Sequence, residues 1–171
     1  MGAEGRKEMQ RLWLDKPTTI KEKAALPGLR DDAPMSQENV AIVEMLLEKF
    51  RAGDHDVFEH YDPAIEWDAT RGGDHVIEIS NVYRGHEGVR AYWRAWLGAW
   101  QPVEVFDHEL EDAGDSVVAL ISGQRNRGRY SGIEVEVEPY ALVFTLREGK
   151  VVRWAFYSDQ GEALESVGLS K

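Results

Sequence analysis

The sequence predicts an α+β fold, a curved mixed or antiparallel sheet with helices gathered on its concave side, and three observations carry that prediction. Apolar residues recur at helical spacing before residue 100, at Val40, Val43, Leu46, Leu47 and Phe50 and again at Val89, Tyr92, Trp93, Trp96, Leu97 and Trp100. Beyond Pro102 the period falls to two, through Val103–Leu110, Ser116–Arg127 and a long hairpin from Ile133 to Asp159. That hairpin carries large apolar groups on both faces, so helices must cover one face and something else, such as a second subunit, the other.

Each element has a local cause. Residues 1–34 are polar and broken by Pro17, Pro27 and Pro34, which suits a flexible extension; Glu8–Leu14 has the pattern of a short amphipathic helix, with Trp13 able to serve a docking arm. From residue 35 the texture is that of a folded domain running to 171. Ser36, with Asn39 in the reciprocal position, reads as the N-cap of the first helix, and Gly53 as its stop. Asp54–Tyr61 reads as a second short helix, Asp62-Pro63 as a turn, Ile65–Thr70 as a strand and Val76–Val82 as an edge strand. A helix over His86–Trp100 ends ahead of Pro102. In the hairpin, Ile133, Val135 and Val137 form one apolar series and Tyr140, Leu142, Phe144 and Leu146 the next, with Pro139 marking a bend where the phase changes. The turn Arg147–Lys150 supplies Gly149 where φ must be positive. A last helix spans Gly161–Val167.

Composition excludes several chemistries. The chain has no cysteine, hence no disulfide frame, thiolate metal site or thiol nucleophile. The net charge is −11, and residues 1–34 hold seven basic and six acidic residues, so the acidic excess lies in the domain. Such a domain repels phosphate backbones and anionic bilayers, which argues against nucleic acid and membrane partners. No apolar run approaches a membrane span, and a cytoplasmic location is the default expectation. His55 and His60 stand five apart, on different helix faces, and no His-Glu-x-x-His, phosphate-binding glycine loop or dinucleotide fingerprint occurs. Neither a metal nor another cofactor is expected.

The phrases MSQENVAIVEMLLEKFRAGD, DPAIEW, YRGHEGVRAYW, DAGDSVVAL, VFTLREGKVVRWAFYSD and EALESVGL, in this order, resemble the SnoaL-like branch of the nuclear transport factor 2-like (NTF2-like) superfamily. The resemblance starts at Met35, and so makes Met35 a candidate start of translation. It implies a conical α+β fold with a deep pocket between helices and sheet, commonly in a homodimer packed through the sheet. Members include polyketide cyclases, ketosteroid isomerases, limonene epoxide hydrolases and non-catalytic binding proteins, and fold alone does not choose among them.

Within that frame Trp67, Trp93, Tyr140, Trp154 and Tyr157 are candidates for the pocket wall, where rings with polar tips suit an apolar ligand bearing a few oxygens. Trp96 and Trp100 read rather as core. Asp159 and His86 are candidate acid–base groups, although either can cap a helix instead. Arg125 could hold an enolate oxygen, or pair across the hairpin with Glu134 and Glu136. Asp68 points away from Trp67 and reads as solvated. Arg125-Asn126-Arg127 lacks the acid of the Arg-x-Asp arrangement that the epoxide hydrolases carry, and no pair reproduces the isomerases' base and oxyanion hole. Two functions stay open: a cofactor-independent isomerase or cyclase acting on an apolar carbonyl compound, and a non-catalytic binding or dimeric interaction module.

Overall fold

The computed structural model describes residues 33–71, 79 and 81–170. The helix expected over Glu8–Leu14 lies outside them, as does most of the edge strand expected over Val76–Val82.

The first helix, α1, spans Ala33–Arg51. Ser36 therefore lies inside its first turns, buried, and not at the cap, while the Asn39 amide donates to the carbonyl of Gly114 at 3.2 Å. The second helix expected at Asp54–Tyr61 shrinks to a 3-10 turn, Phe58–His60. Tyr61 already belongs to strand β1, Tyr61–Arg71, and the Asp62-Pro63 step becomes an irregularity within it. Strand β2 is Val82–Arg84, and α2 is Gly85–Ala99.

The run expected at Val103–Leu110 is two strands, β3 (Trp100–Val105) and β4 (His108–Asp112). Pro102 sits inside β3 because that strand is an edge, where a missing N–H leaves no ladder bond unmade. The run at Ser116–Arg127 likewise divides into β5 (Ser116–Ile121) and β6 (Gln124–Gly128). Gly123 makes the break with φ +145°, and a Cβ there would meet the Phe106 ring at 2.9 Å. Pro139 separates β7 (Glu134–Val137) from β8 (Tyr140–Arg147), and β9 is Lys150–Tyr157. Glu148 and Gly149, φ 52° and 78°, turn β8 into β9 as a type I′ hairpin requires. The last helix, α3, is Gln160–Ser166.

Six strands form one sheet in the order β2-β1-β9-β8-β5-β4, and β3-β6-β7 form a second, smaller one. The main sheet is mixed: β1 runs parallel to β9, with Trp67 opposite Trp154, and all its other pairs are antiparallel.

Alternation along β5, β8 and β9 sorts the core into two layers. Val117, Ala119, Ile121, Leu142, Phe144 and Trp154 face α1 and α2. Val118, Leu120, Ala141, Val143, Ala155 and Tyr157 face the other way, onto Ala163 and Leu164 of α3. For these residues the cover comes from the chain's own last helix, where the sequence leaves room for a second subunit. Next to that patch the outer face is polar. Arg84 pairs with Glu66 at 3.0 Å, and Arg153 bridges Glu66 at 3.4 Å and Asp68 at 3.0 Å. Asp68 does face away from Trp67, yet it is buried, held by Arg153 and by the Thr70 hydroxyl at 2.6 Å. No described helix is long and apolar enough to cross a membrane.

Candidate functional site

The concave side of the sheet does not close completely. Between α1, α2 and the strands lies an inner chamber of about 90 Å³, walled by residues that include Phe50, Trp67, Trp93, Leu142, Phe144 and Trp154. Adjoining it is an outer hollow of about 360 Å³ that reaches Ala69, Ile79, Trp100 and Asn126 and is bordered by Val135 to Glu138. Tyr92, Trp96, Gln124, Tyr140 and Phe156 line both spaces and so stand between them, at the throat that a ligand occupying both would pass.

Rigid rings explain why space remains. Trp67 and Trp154, cross-strand partners on β1 and β9, stack at 4.0 Å and 12°. Tyr92 and Trp93, adjacent on α2, both meet Trp67, with centroids 5.8 and 6.0 Å away. Tyr140 lies flat on Phe156 at 4.9 Å and 21°. These flat, rigid rings border the gap. The indole N–H of Trp67 is buried without a hydrogen-bond acceptor among the described residues.

Polar chemistry is concentrated on one wall. The Tyr140 hydroxyl donates to Gln124 Oε1 at 2.6 Å, and Gln124 Nε2 donates to Asn126 Oδ1, also at 2.6 Å. Both amides project to the inner side of β6, since Gln124 and Asn126 alternate with Arg125 and Arg127. Burial pushes the Tyr140 hydroxyl well above the ordinary phenol range, with the charge of Arg51 opposing. The phenol is therefore neutral at physiological pH. Arg51 belongs to a second polar group linking α1 to β4. Its Nη2 donates to the Phe106 carbonyl at 3.0 Å and lies 2.9 Å from His108 Nδ1, while His108 Nε2 lies 2.9 Å from Glu44. Burial lowers the Arg51 pKa to about 10.

The candidate residues separate cleanly. Trp67, Trp93, Tyr140 and Trp154 line the inner chamber. Tyr157 does not: it sits in the layer under α3, on the opposite face, with Arg71 over its ring. Asp159 is exposed and caps α3, accepting from Glu162 N at 2.9 Å. His86 binds the Tyr61 carbonyl at 3.0 Å and packs against Phe58. Arg125 pairs with Glu104 at 2.8 Å and lies 3.7 Å from Glu134, on the outer side of the small sheet. None of these four lines either hollow. Trp96 and Trp100, read as core, both reach the outer hollow. Sequence reasoning missed Gln124 and Asn126. The signal was the arginine alternation itself, because residues between outward arginines on a strand must face inward. Among the described residues no three His, Asp or Glu side chains gather as a metal site would require.

A curved sheet wrapped over helices around a hollow defines an NTF2-like cone, and solved structures agree. An NTF2-like protein from Burkholderia xenovorans superposes with TM-score 0.59 at 20% identity, over 71% of this chain and 88% of that one. A candidate polyketide cyclase from Xanthomonas campestris gives 0.60 at 17%, over 78% and 98%, and a candidate isomerase from Bacillus subtilis 0.56 at 13%, over 77% and 92%. No curated protein matches the sequence. Residues 43–154 match the SnoaL-like domain model, and the chain belongs to that family.

Proposed function

We propose that the protein binds a small, ring-bearing apolar molecule with one or two oxygen functions in the joined chamber and hollow. The observation that carries this reading is the distribution of polarity. The inner chamber is walled by rings and aliphatic side chains, its polar groups are the Gln124 amide and the polar tips of tyrosines and tryptophans, and no carboxylate lines it among the described residues. Chamber and hollow together fall within the ~300–1,000 Å³ typical of small-molecule sites. The chamber alone is smaller than the ~150 Å³ cavity that takes up benzene. A ligand therefore has to span the throat. Titrating the protein with 2-tetralone should quench tryptophan emission saturably, and Leu142→Phe, which fills the chamber, should weaken the effect at least about tenfold. Quenching that never saturates, or that ignores Leu142→Phe, counts against the site.

A second reading, a cofactor-independent isomerase or cyclase, is favoured by Tyr140, a buried neutral phenol beside a hydrogen-bonded amide pair. The names of two similar structures, candidate polyketide cyclase and candidate isomerase, point the same way. A phenol donating to a carbonyl oxygen promotes proton loss from the adjacent carbon. Asp159, His86 and Arg125 line neither hollow, whereas Glu136 and Glu138 border the outer one. Deuterium exchange at the α-carbons of bound 2-tetralone, followed by NMR in D₂O, tests this. Exchange faster than in buffer and abolished by Tyr140→Phe sustains an enzyme; exchange at the buffer rate leaves binding alone.

A further inference from the structure

We propose that the small sheet carries an apolar strip leading out of the hollow, and that this strip receives a hydrocarbon tail on the ligand whose ring system the chamber and hollow hold. The inference rests on the binding reading and narrows its ligand class to an apolar ring bearing an alkyl chain.

The strip follows from alternation. Residues 133–137 read Ile-Glu-Val-Glu-Val, so this segment sorts aliphatic side chains to one face and carboxylates to the other. The pairing of β7 with β6 says which face is which. Val137 stands opposite Gln124 and Val135 opposite Asn126, whereas Glu136 and Glu134 stand opposite Arg125 and Arg127. Gln124 and Asn126 are buried and line the outer hollow together with Val135 and Val137, so the aliphatic face is the inner one. Ile133 continues the series one step beyond β7, its carbonyl accepting from Gly128 N at 2.9 Å in the register the ladder already holds.

Exposure rises step by step along this series. Val137 is partly buried, Val135 is 37% exposed and Ile133 63%. The strip from Val137 to Ile133 is ~13 Å long, four residues at the rise of a strand. Two observations make its occupant a ligand tail and not a second copy of the chain. Val135 belongs to the hollow and to the strip alike, so the path is continuous with the cavity. The strip is also too small for a stable interface. With Tyr130 of the neighbouring turn, Ile133 and Val135 are the exposed large apolar residues among those described, a small part of the ~800 Å² that each partner of a standard interface buries. The net charge of −11 adds repulsion between copies. Glu136 and Glu138, which border the same hollow, disfavour a fatty acid lying along it, so the tail is uncharged.

Alkyl phenyl ketones from butyrophenone to decanophenone, titrated by tryptophan quenching, provide the test. Full burial of a methylene tightens binding about fourfold. A tail on an open strip loses about half its water contact, so each added methylene should give about twofold. Decanophenone, longer by six methylenes, should then bind roughly fiftyfold more tightly than butyrophenone. Ile133 is exposed enough to change without opening the core. Ile133→Ser should cut that ratio at least about fivefold, and Ile133→Leu should keep it. The ratio compares two ligands on one protein, so general damage to the site cancels. A gain that stops at hexanophenone, or a ratio indifferent to Ile133→Ser, overturns the proposal, while saturable 2-tetralone binding leaves the pocket standing. Sedimentation in which Ile133→Ser turns a dimer into a monomer gives the strip to a second copy and overturns it as well. If neither 2-tetralone nor any of the ketones binds, the pocket reading and the proposal fall together.

Discussion

The two faces of the main sheet solve the same burial problem differently. On the outer face Val118, Ala141 and Ala155 are fully buried beneath the short helix α3, whose Ala163 is also at 0% exposure. Small side chains let helix and sheet approach closely. On the inner face the strands present Trp67, Phe144, Trp154 and Phe156 to a longer pair of helices, and a chamber survives between the rings. Residue size, more than hydrophobicity, decides which face closes. A cavity in this fold follows from placing large flat groups where the sheet curves away.

The sharpest break in that comparison comes from Trp154. It stacks on Trp67, lies opposite Phe144 and is 4% exposed, so Trp154→Ala removes the centre of the inner layer. The expected loss is ~3–5 kcal/mol by urea denaturation, the range for deleting a buried aromatic. Overpacking sharpens the contrast. Ala155→Leu forces three extra carbons into the closed outer layer and should cost ~1–3 kcal/mol. Leu142→Phe on the neighbouring strand points into the chamber, and should cost under ~1 kcal/mol because its extra atoms have somewhere to go. Equal costs would mean that the inner face is as tightly filled as the outer.

How much of this was legible beforehand depends on the range of the interaction responsible. The α+β class, the helix at Gly85–Ala99 and the Glu148-Gly149 turn follow from periodicity and turn chemistry, both local. The parallel pairing of β1 with β9 joins residues nearly ninety apart, and nothing local encodes it. The strand breaks at Gly123 and Pro139 were only half visible: a proline announces itself, whereas a glycine in an alternating run reads as continuous strand. Tyr157 was placed at the cavity because it shares a strand with Trp154. Three residues on, alternation puts it on the opposite face, a parity that the sequence states and aromatic density obscured. Gln124 and Asn126 were passed over because charged Arg125 and Arg127 drew attention, although a charge that finds acidic partners across a strand faces outward.

Buried phenols extend the comparison to pH. Tyr61, Tyr92 and Tyr140, all on the inner side, have pKa values raised by burial from the ordinary 10.0. A raised pKa means the folded state holds its proton where the unfolded chain has lost it. The contribution is complete below pH 10 and disappears as pH climbs toward the folded values. Each phenol then costs about 1.4 kcal/mol per pH unit. Arg51, lowered to about 10, acts in the opposite sense over the same window but is one group against three. Net stability should therefore fall steeply above pH 10, and Tyr140→Phe should reduce the slope by about one phenol's share in denaturation curves taken at successive pH values.

The smallest effect lies at the edge of the outer layer. Asp159 caps α3 through Glu162 N at 2.9 Å, and α3 has only seven residues, so its docking depends on that cap as well as on Ala163 and Leu164. Asp159→Ala should cost ~1 kcal/mol, and Asp159→Asn, which preserves the accepting oxygen, a fraction of that. Neither should alter ligand affinity, because the helix covers the face away from the chamber. A change in 2-tetralone binding on Asp159→Asn would instead return Asp159 to the site and show that the two sides of the sheet are coupled. The same pair of variants thus measures the cap and tests whether the closed face and the open one are independent.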